Sequence, residues 1–289
     1  MKVLVTGANG QVGLAIARTA PAEAEVIALS RNELDICNPS AMTAIIAAIN
    51  PDVVINAAGY TQVDKAESEE RTAFRTNGDA VGDLARLCEM AGAKLVHFST
   101  DFVFDGAKGS PYAIDDSPAP LSIYGRSKLA GEQAALSMRD ALVIRTAWVY
   151  SESGDNFVKT MLGKFQQSRP VKVVSDQVGS PTSAHSLAKA VWGLIAQRAT
   201  GLHHFTDAGV CSWYDFAVAI SEEALAVGII GDPPVIIPIR SEDYPAAASR
   251  PSFSVLDKWP SWGLLGGPAQ HWRTELKQVL ASLKGDRND

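Results

Sequence analysis

The chain is poor in the features that mark several large classes of protein. Only three of its 289 residues are cysteine, Cys37, Cys88 and Cys211. They are odd in number and far apart, which argues against a disulfide framework or a clustered metal site and points to reduced thiols. Positive charge is not in excess: 26 Lys and Arg stand against 32 Asp and Glu, a net charge of -6. A basic face for nucleic acid is therefore not expected, although a few donors and a helix N-terminus can still hold a small anion. No apolar run approaches the roughly 20 residues of a membrane span. Met1 to Gly7 read as a strand entering a turn, not as a secretory leader. These absences predict a cytoplasmic protein with neither a nucleic-acid nor a membrane partner. Internal repeats and low-complexity linkers are also lacking.

What is present is the material of a packed core. Hydrophobic residues make up 46% and charged residues 20%, and the length suits one large domain carrying a smaller lobe. In the first half, short β-branched runs alternate with longer amphipathic ones. Val3 to Val5, Glu25 to Leu29, Val53 to Asn56, Leu95 to Ser99 and Leu142 to Arg145 read as buried strands. Gln11 to Thr19, Ser40 to Ile49, Glu67 to Ala91 and Ile123 to Met138 read as helices between them. The alternation predicts βαβ units and an α/β fold with a doubly wound, parallel sheet.

Past Tyr150 the pattern loosens. Ala184 to Ala196 reads as a helix, Gly201 to Phe205 as a strand, and Ser212 as the N-cap of a helix running to Val227. Pro233, Pro234, Pro238 and Pro245 break the next stretch into short pieces, a last helix spans Ala269 to Leu283, and the tail from Lys284 to Asp289 is expected to fray. The division expected is a dinucleotide-binding domain over 1–150 and a substrate-binding lobe over 151–289, with some segments of the second returning to the first.

Two motifs carry chemistry. Thr6-Gly7-Ala8-Asn9-Gly10-Gln11-Val12-Gly13 follows the first strand and opens the first helix. Its first glycine permits a tight turn, its second lets backbone approach a pyrophosphate, and its third allows close helix packing. The second strand ends in Ser30-Arg31, where an NAD site commonly has an acidic residue. A guanidinium there suits a 2'-phosphate, so NADP(H) is expected ahead of NAD(H). In the second motif, Tyr124 and Lys128 stand four residues apart, on one face of a helix. An ammonium near a phenol lowers its pKa, and the pair can pass a proton to a carbonyl oxygen as hydride reaches its carbon. Thr100, at the end of the fourth strand, can polarise the same oxygen, and Asn77 can hold a relay water or lie on a helix surface.

Other candidates read as structural. His203 and His204 are adjacent on a strand and point to opposite faces, so they cannot chelate one metal. Glu67, Glu69 and Glu70 complement a helix start. Trp259, Trp262 and Trp272 pack the second lobe or form a dimer contact.

Taken together, the glycine loop, Asn56-Ala57-Ala58-Gly59, Thr100 and the Tyr124/Lys128 pair resemble the extended short-chain dehydrogenases/reductases with their Rossmann-type fold. Longer strings are similar to the dTDP-4-dehydrorhamnose reductase family: Thr61 to Glu67, Ser99 to Gly106, Arg145 to Tyr150, Asn156 to Leu162, Asp176 to Thr182, and Tyr244-Pro245 through Arg250-Pro251. The resemblance spans nearly the whole chain. It implies hydride transfer from NADPH to the C4 ketone of dTDP-4-dehydro-L-rhamnose, with Tyr124 as acid, Lys128 as its modulator and ribose ligand, and Thr100 as carbonyl partner. The cofactor set it implies is Gly7, Gly10, Gln11, Val12, Gly13, Ser30, Arg31, Asp35, Ile36, Ala57, Ala58, Gly59, Thr61 and Lys128. The nucleotide-sugar set is Thr100, Asp101, Trp148, Asn156 and Arg250. A homodimer is the partner state expected.

The chain departs from the family's usual pattern at Phe102, where tyrosine is common, at Gly59, where alanine is usual, and at Phe253, often polar. Ala15 stands near where an acidic metal ligand would be expected, so no metal is expected. Two other activities fit the same outline: an epimerase holding NAD, and a non-catalytic partner like the regulatory subunit of methionine adenosyltransferase. The Ser30-Arg31 ending speaks against the first, and intact Thr100, Tyr124 and Lys128 against the second.

Overall fold

A computed structural model describes residues 1–167 and 169–285; the tail expected to fray lies, from residue 286 onward, outside the described residues. The first half runs β1 (Lys2–Thr6), α1 (Gln11–Arg18), β2 (Glu25–Leu29), α2 (Pro39–Ile49), β3 (Val53–Asn56), α3 (Val63–Ala66), α4 (Glu70–Phe74), α5 (Ala80–Ala91), β4 (Lys94–Thr100), α6 (Ile123–Leu136) and β5 (Ala141–Thr146). Then follow β6 (Val149–Tyr150), α7 (Phe157–Phe165), β7 (Val171–Val174), β8 (Val178–Gly179), β9 (Thr182–Ser183), α8 (Ala184–Ala196), β10 (Gly201–His204), β11 (Cys211–Ser212), α9 (Trp213–Ala226), β12 (Ile236–Ile239), α10 (Trp259–Leu264) and α11 (Trp272–Gly285).

Six strands form one sheet in the order β10-β5-β4-β3-β1-β2, and every pairing within it is parallel. Strand side chains alternate between faces, and here both faces are covered. Val3, Val5 and Ile55 join a cluster with Ile16 of α1 and Leu187, Val191 and Trp192 of α8. Leu4 and Val54 face Met42 of α2 and Leu84 of α5 on the other side. This is a Rossmann-type doubly wound sheet, and the strands read from sequence agree with it to within a residue or so at each end.

The second half does not stand apart from the first. Its helix α8 packs on α1, where Trp192 Nε1 donates to Ile16 O at 3.2 Å, and β10 extends the sheet beside β5. The remaining elements gather round a separate cluster that includes Tyr150, Phe216, Trp272 and Leu276. The N-cap expected at Ser212 is present as a full capping box with Asp215. Of the three tryptophans assigned to packing, Trp262 and Trp272 are buried, while Trp259 is 70% exposed.

The largest departure from the sequence reading lies between residues 67 and 91. In place of one regular helix starting at Glu67, the helix starts at Glu70 and is widened by a π-helical turn over Arg75–Asp79. Such a turn inserts a residue without breaking the helix, and it re-aims what it carries. It carries Asn77, which is 1% exposed rather than on the helix surface. The Asn77 side chain accepts from Tyr60 N at 2.8 Å and donates to Tyr60 O at 2.9 Å and Ser127 Oγ at 3.0 Å. It fastens the loop after β3 to helix α6.

Candidate active site

In an open α/β sheet, ligands bind outside the carboxyl ends of the strands where the winding reverses direction. Here that point lies between β1 and β3. Their ends are tied by Thr6 Oγ1 donating to Asn56 Oδ1 at 2.7 Å. A cavity of about 670 Å³ opens above them. Its floor is the glycine loop. Gly7 has φ +68°, and a Cβ there would meet Ala58 N at 2.6 Å; one at Gly13 would meet Gly7 O at 2.4 Å. Both positions therefore require glycine, the first for conformation and contact, the second for helix packing. Gly10, Gln11 and Val12 bring the N-terminus of α1 to the cavity wall, where its free N–H groups favour an anion.

The same cavity is lined by Ala57, Ala58, Gly59, Thr61, Thr100, Asp101, Tyr124, Lys128, Trp148 and Arg250. The sequence reading brought all of these forward, from segments up to about 190 residues apart. Helix α6 starts at Ser122, whose side chain accepts from Gly125 N at 3.1 Å, and this cap sets Tyr124 and Lys128 in its first turns facing β4. Lys128 Nζ donates to Phe98 O at 2.5 Å. Tyr124 meets the edge of Phe102, with ring centroids 5.7 Å apart. Thr100 Oγ1 donates to Asp101 Oδ1 at 3.0 Å.

Charge states follow from this packing. Burial, with help from Asp101, pushes the Tyr124 hydroxyl up to about 12, and the Thr100 hydroxyl acts against the rise. The depression expected from Lys128 is not found, because the ammonium is bonded to a carbonyl instead and loss of hydration outweighs it. Burial lowers Lys128 itself to about 8, with Glu132 pulling the other way. Asp101 rises to about 6 by burial, opposed by the nearby Ser254 and Thr100 hydroxyls and by backbone N–H groups. At neutral pH the phenol is thus a proton donor in waiting. Two polar atoms of the wall, Asp101 Oδ2 and Thr146 Oγ1, are buried without a hydrogen-bond partner among the described residues, an arrangement that suits a ligand rich in hydroxyls.

Gly7 and Gly13 shape the loop without lining the cavity themselves, and five other expected site residues also fall outside the lining. Ser30 is buried and bonded to Glu33, its Oγ donating to Oε2 at 2.6 Å. Arg31 is exposed at the end of β2. Asp35 accepts from Cys37 N at 2.9 Å, and the Ile36 side chain is in the core beneath α2. Asn156 caps α7 through Lys159 N at 3.1 Å, and its amide donates to Gln11 Oε1 at 2.9 Å and Ser151 O at 2.8 Å. With its groups committed, Asn156 latches the 151–156 loop onto the glycine loop.

Among the lining residues absent from the expected sets, Thr146 and Trp213 matter most. Trp213 stacks on Trp148 with centroids 3.5 Å apart and planes 5° from parallel. Gly179 also crowds Trp148, since a Cβ there would collide with the indole at 2.6 Å. This clamp holds Trp148 at φ +48°, a left-handed conformation costly for a bulky residue. The sequence placed Trp213 only as the residue after an N-cap. Its position facing Trp148 depends on a pairing across 65 positions and left no local trace. Trp213 and Arg250 also border a second cavity of about 540 Å³ that continues from the first. Arg250 is held there by Asp64, with Nη2 to Oδ2 at 2.6 Å.

Comparison with known proteins agrees with this geometry. The family model for the RmlD substrate binding domain matches residues 1–284. A dTDP-4-dehydrorhamnose reductase of Burkholderia thailandensis is 43% identical over 98% of this chain and 99% of its own. A crystal structure of a dTDP-4-dehydrorhamnose reductase from Clostridium acetobutylicum superposes with a TM-score of 0.92 at 38% identity, covering 98% of this chain and 100% of that one. A second, the dTDP-4-dehydrorhamnose reductase from Bacillus anthracis in complex with NADP, has a TM-score of 0.92 at 34% identity over 97% of this chain and 99% of that one. The chain belongs to the family of the RmlD substrate binding domain, that of the dTDP-4-dehydrorhamnose reductases.

Proposed function

We propose that the chain is a reductase that converts dTDP-4-dehydro-L-rhamnose to dTDP-L-rhamnose at the expense of NADPH. The observation that carries this reading is the union, in one cavity, of a phosphate-cradling glycine loop with Thr100, Tyr124 and Lys128. The dinucleotide fits the residues present: backbone at Gly7 and Gly13 leaves no room for side chains, α1 offers its N-terminus to the pyrophosphate, and Arg31 is free to meet a 2'-phosphate. Bound there, the reduced nicotinamide supplies the hydride. Everything else falls to the protein. Thr100 orients the ketone oxygen by hydrogen bonding, and Tyr124, protonated at neutral pH, gives it a proton as negative charge develops. Lys128 holds positive charge beside the departing proton and is placed for the cofactor ribose. The orphaned oxygens of Asp101 and Thr146 receive the sugar hydroxyls, Trp148 forms the apolar wall, and the second cavity takes the nucleotide, with Arg250 between the two. Free thiols at Cys37, Cys88 and Cys211 fit a cytoplasmic enzyme.

The test is NADPH consumption with dTDP-4-dehydro-L-rhamnose, followed by identification of the product sugar. Tyr124→Phe is expected to lose about 10²–10⁴-fold in turnover, the usual worth of a positioned acid, while binding NADPH normally. Wild type that consumes no NADPH would refute the function, and an active Tyr124→Phe the mechanism.

A further inference from the structure

Behind Lys128 lies a buried charge network that the reaction as described does not use. Glu132, one helical turn beyond Lys128 on the same face of α6, is 2% exposed. Its carboxylate accepts from Ser99 Oγ of β4 at 2.7 Å, and from Arg145 Nε and Nη2 of β5 at 2.9 and 2.5 Å. Ser99 and Arg145 are register partners, and each immediately precedes a residue of the cavity wall, Thr100 and Thr146. One carboxylate thus ties the catalytic helix to the two strand ends that present the carbonyl-facing groups. Arg145, also 2% exposed, reaches on to β10, with Nη1 3.3 Å from His204 Nε2. A guanidinium can only donate, so Nε2 accepts. His204 Nδ1 is then the protonated nitrogen and donates to Asp257 O at 3.1 Å.

Burying an ion pair is costly and seldom repaid in stability, so a folding role alone explains this placement poorly. We propose that Glu132 is a positioning residue for the reduction, which fixes the ends of β4 and β5 under the ketone site and supplies the negative charge that keeps the Lys128 ammonium protonated at working pH. This rests on the reading of Tyr124 and Lys128 given above.

The surroundings single Glu132 out. The other titratable groups about Lys128 are Tyr124 on its own helix, His97 on β4, Asp101 in the turn after β4 and Arg145 on β5. Burial keeps His97 neutral, and Asp101, raised only to about 6 and so an anion at neutral pH, acts on the Tyr124 phenol and not on the Lys128 ammonium. Charged residues of the helices packed outside are exposed or engaged elsewhere, as in Lys65 with Glu69, Arg75 with Asp83 and Asp64 with Arg250. Burial lowers Lys128 and Glu132 alone is set against it.

The experiment titrates Lys128 directly, by the NMR shift of its 13C-labelled ε-methylene in the full-length, ligand-free protein, assigned through Lys128→Met. In Glu132→Gln the midpoint is expected to fall by about one pH unit, as for loss of a close opposite charge; in Glu132→Asp it should stay near the wild-type value. The alkaline limb of turnover should fall with the midpoint in Glu132→Gln and recover in Glu132→Asp. An unchanged midpoint in a folded Glu132→Gln overturns the proposal. Should that variant not fold, Glu132→Gln/Arg145→Met, which leaves no guanidinium unpaired, is titrated against Arg145→Met, so that the loss of the guanidinium charge cancels, under the same criterion. Because the midpoint is read without substrate, it decides on Glu132 even if the wild type proves inactive on the keto-sugar.

Discussion

Two glycines that look alike in sequence are expected to respond oppositely to the same change. Gly131 and Gly163 both lie inside helices, α6 and α7, where alanine is intrinsically favoured by about 1 kcal/mol. At Gly163 an added Cβ meets nothing within 4 Å. Gly163→Ala should therefore stabilise the protein by most of that amount, raising Tm by about 2 °C. At Gly131 the Cβ would lie 1.9 Å from Asn77 O and 3.3 Å from Val81 Cγ2. A carbon–oxygen contact needs about 3.3 Å, so helix α6 must retreat by roughly 1.4 Å from the π-helical turn. Neither atom of that contact can rotate away, since Asn77 O is backbone. Overpacking of this kind costs about 1–3 kcal/mol, which cancels or exceeds the helix gain. The larger effect falls on catalysis, because α6 carries Tyr124 and Lys128, and a displacement of about 1 Å at reacting groups can cost about 10²-fold in rate. Thermal melts and steady-state turnover with NADPH on both variants read the two effects. A Gly131→Ala protein that is as stable as Gly163→Ala and fully active would refute the close crossing of α6 on the π-helical turn.

Two further outcomes are expected. Arg31→Ala should raise KM for NADPH by about 10–100-fold, the worth of a charge-assisted bond to phosphate, and leave NADH almost untouched; equal losses would remove Arg31 from the 2'-phosphate site. Asp207, fully buried, is raised to about 7 by burial, against Ser183 N and its other donors. Between its usual 3.8 and about 7 the folded chain holds a proton that the unfolded chain has lost, so stability falls as pH rises through that window, by at most about 4 kcal/mol. Urea unfolding at pH 4.5 and 7.5 should show Asp207→Asn gaining on wild type at the higher pH, and a constant difference would contradict the assignment.

Much of this protein is written locally. Each of the five strands of the first half is a short β-branched run between polar or glycine residues, and a strand buried on both faces needs no other signal. The glycine loop is legible because its constraints act within eight residues. Tyr124 and Lys128 are legible because a helix repeat puts residues four apart on one face. For the same reason the capping box of Ser212 and Asp215 could be expected from spacing alone.

Other features exist only once distant segments meet. The turn at Arg75–Asp79 is widened so that Asn77 can reach Tyr60 and Ser127, and that demand comes from α6, some 50 residues on. Asn156 and Ile36 are of types found in binding sites, yet one is consumed in latching a loop and the other in filling the core. The phenol of Tyr124 stands high because of what surrounds it, and a spacing rule that counts only the nearby ammonium misjudges its charge. Helix α8 and strand β10 return to the first-half sheet because its exposed edge and the face beside α1 offered apolar surface to cover. Glu132, Arg145 and His204 look unremarkable one by one, since a buried ion pair is defined by partners and lost hydration. Periodicity sets where a side chain points on its own element; which group waits opposite it is decided by the packing of elements, and the chemistry of this site depends on both.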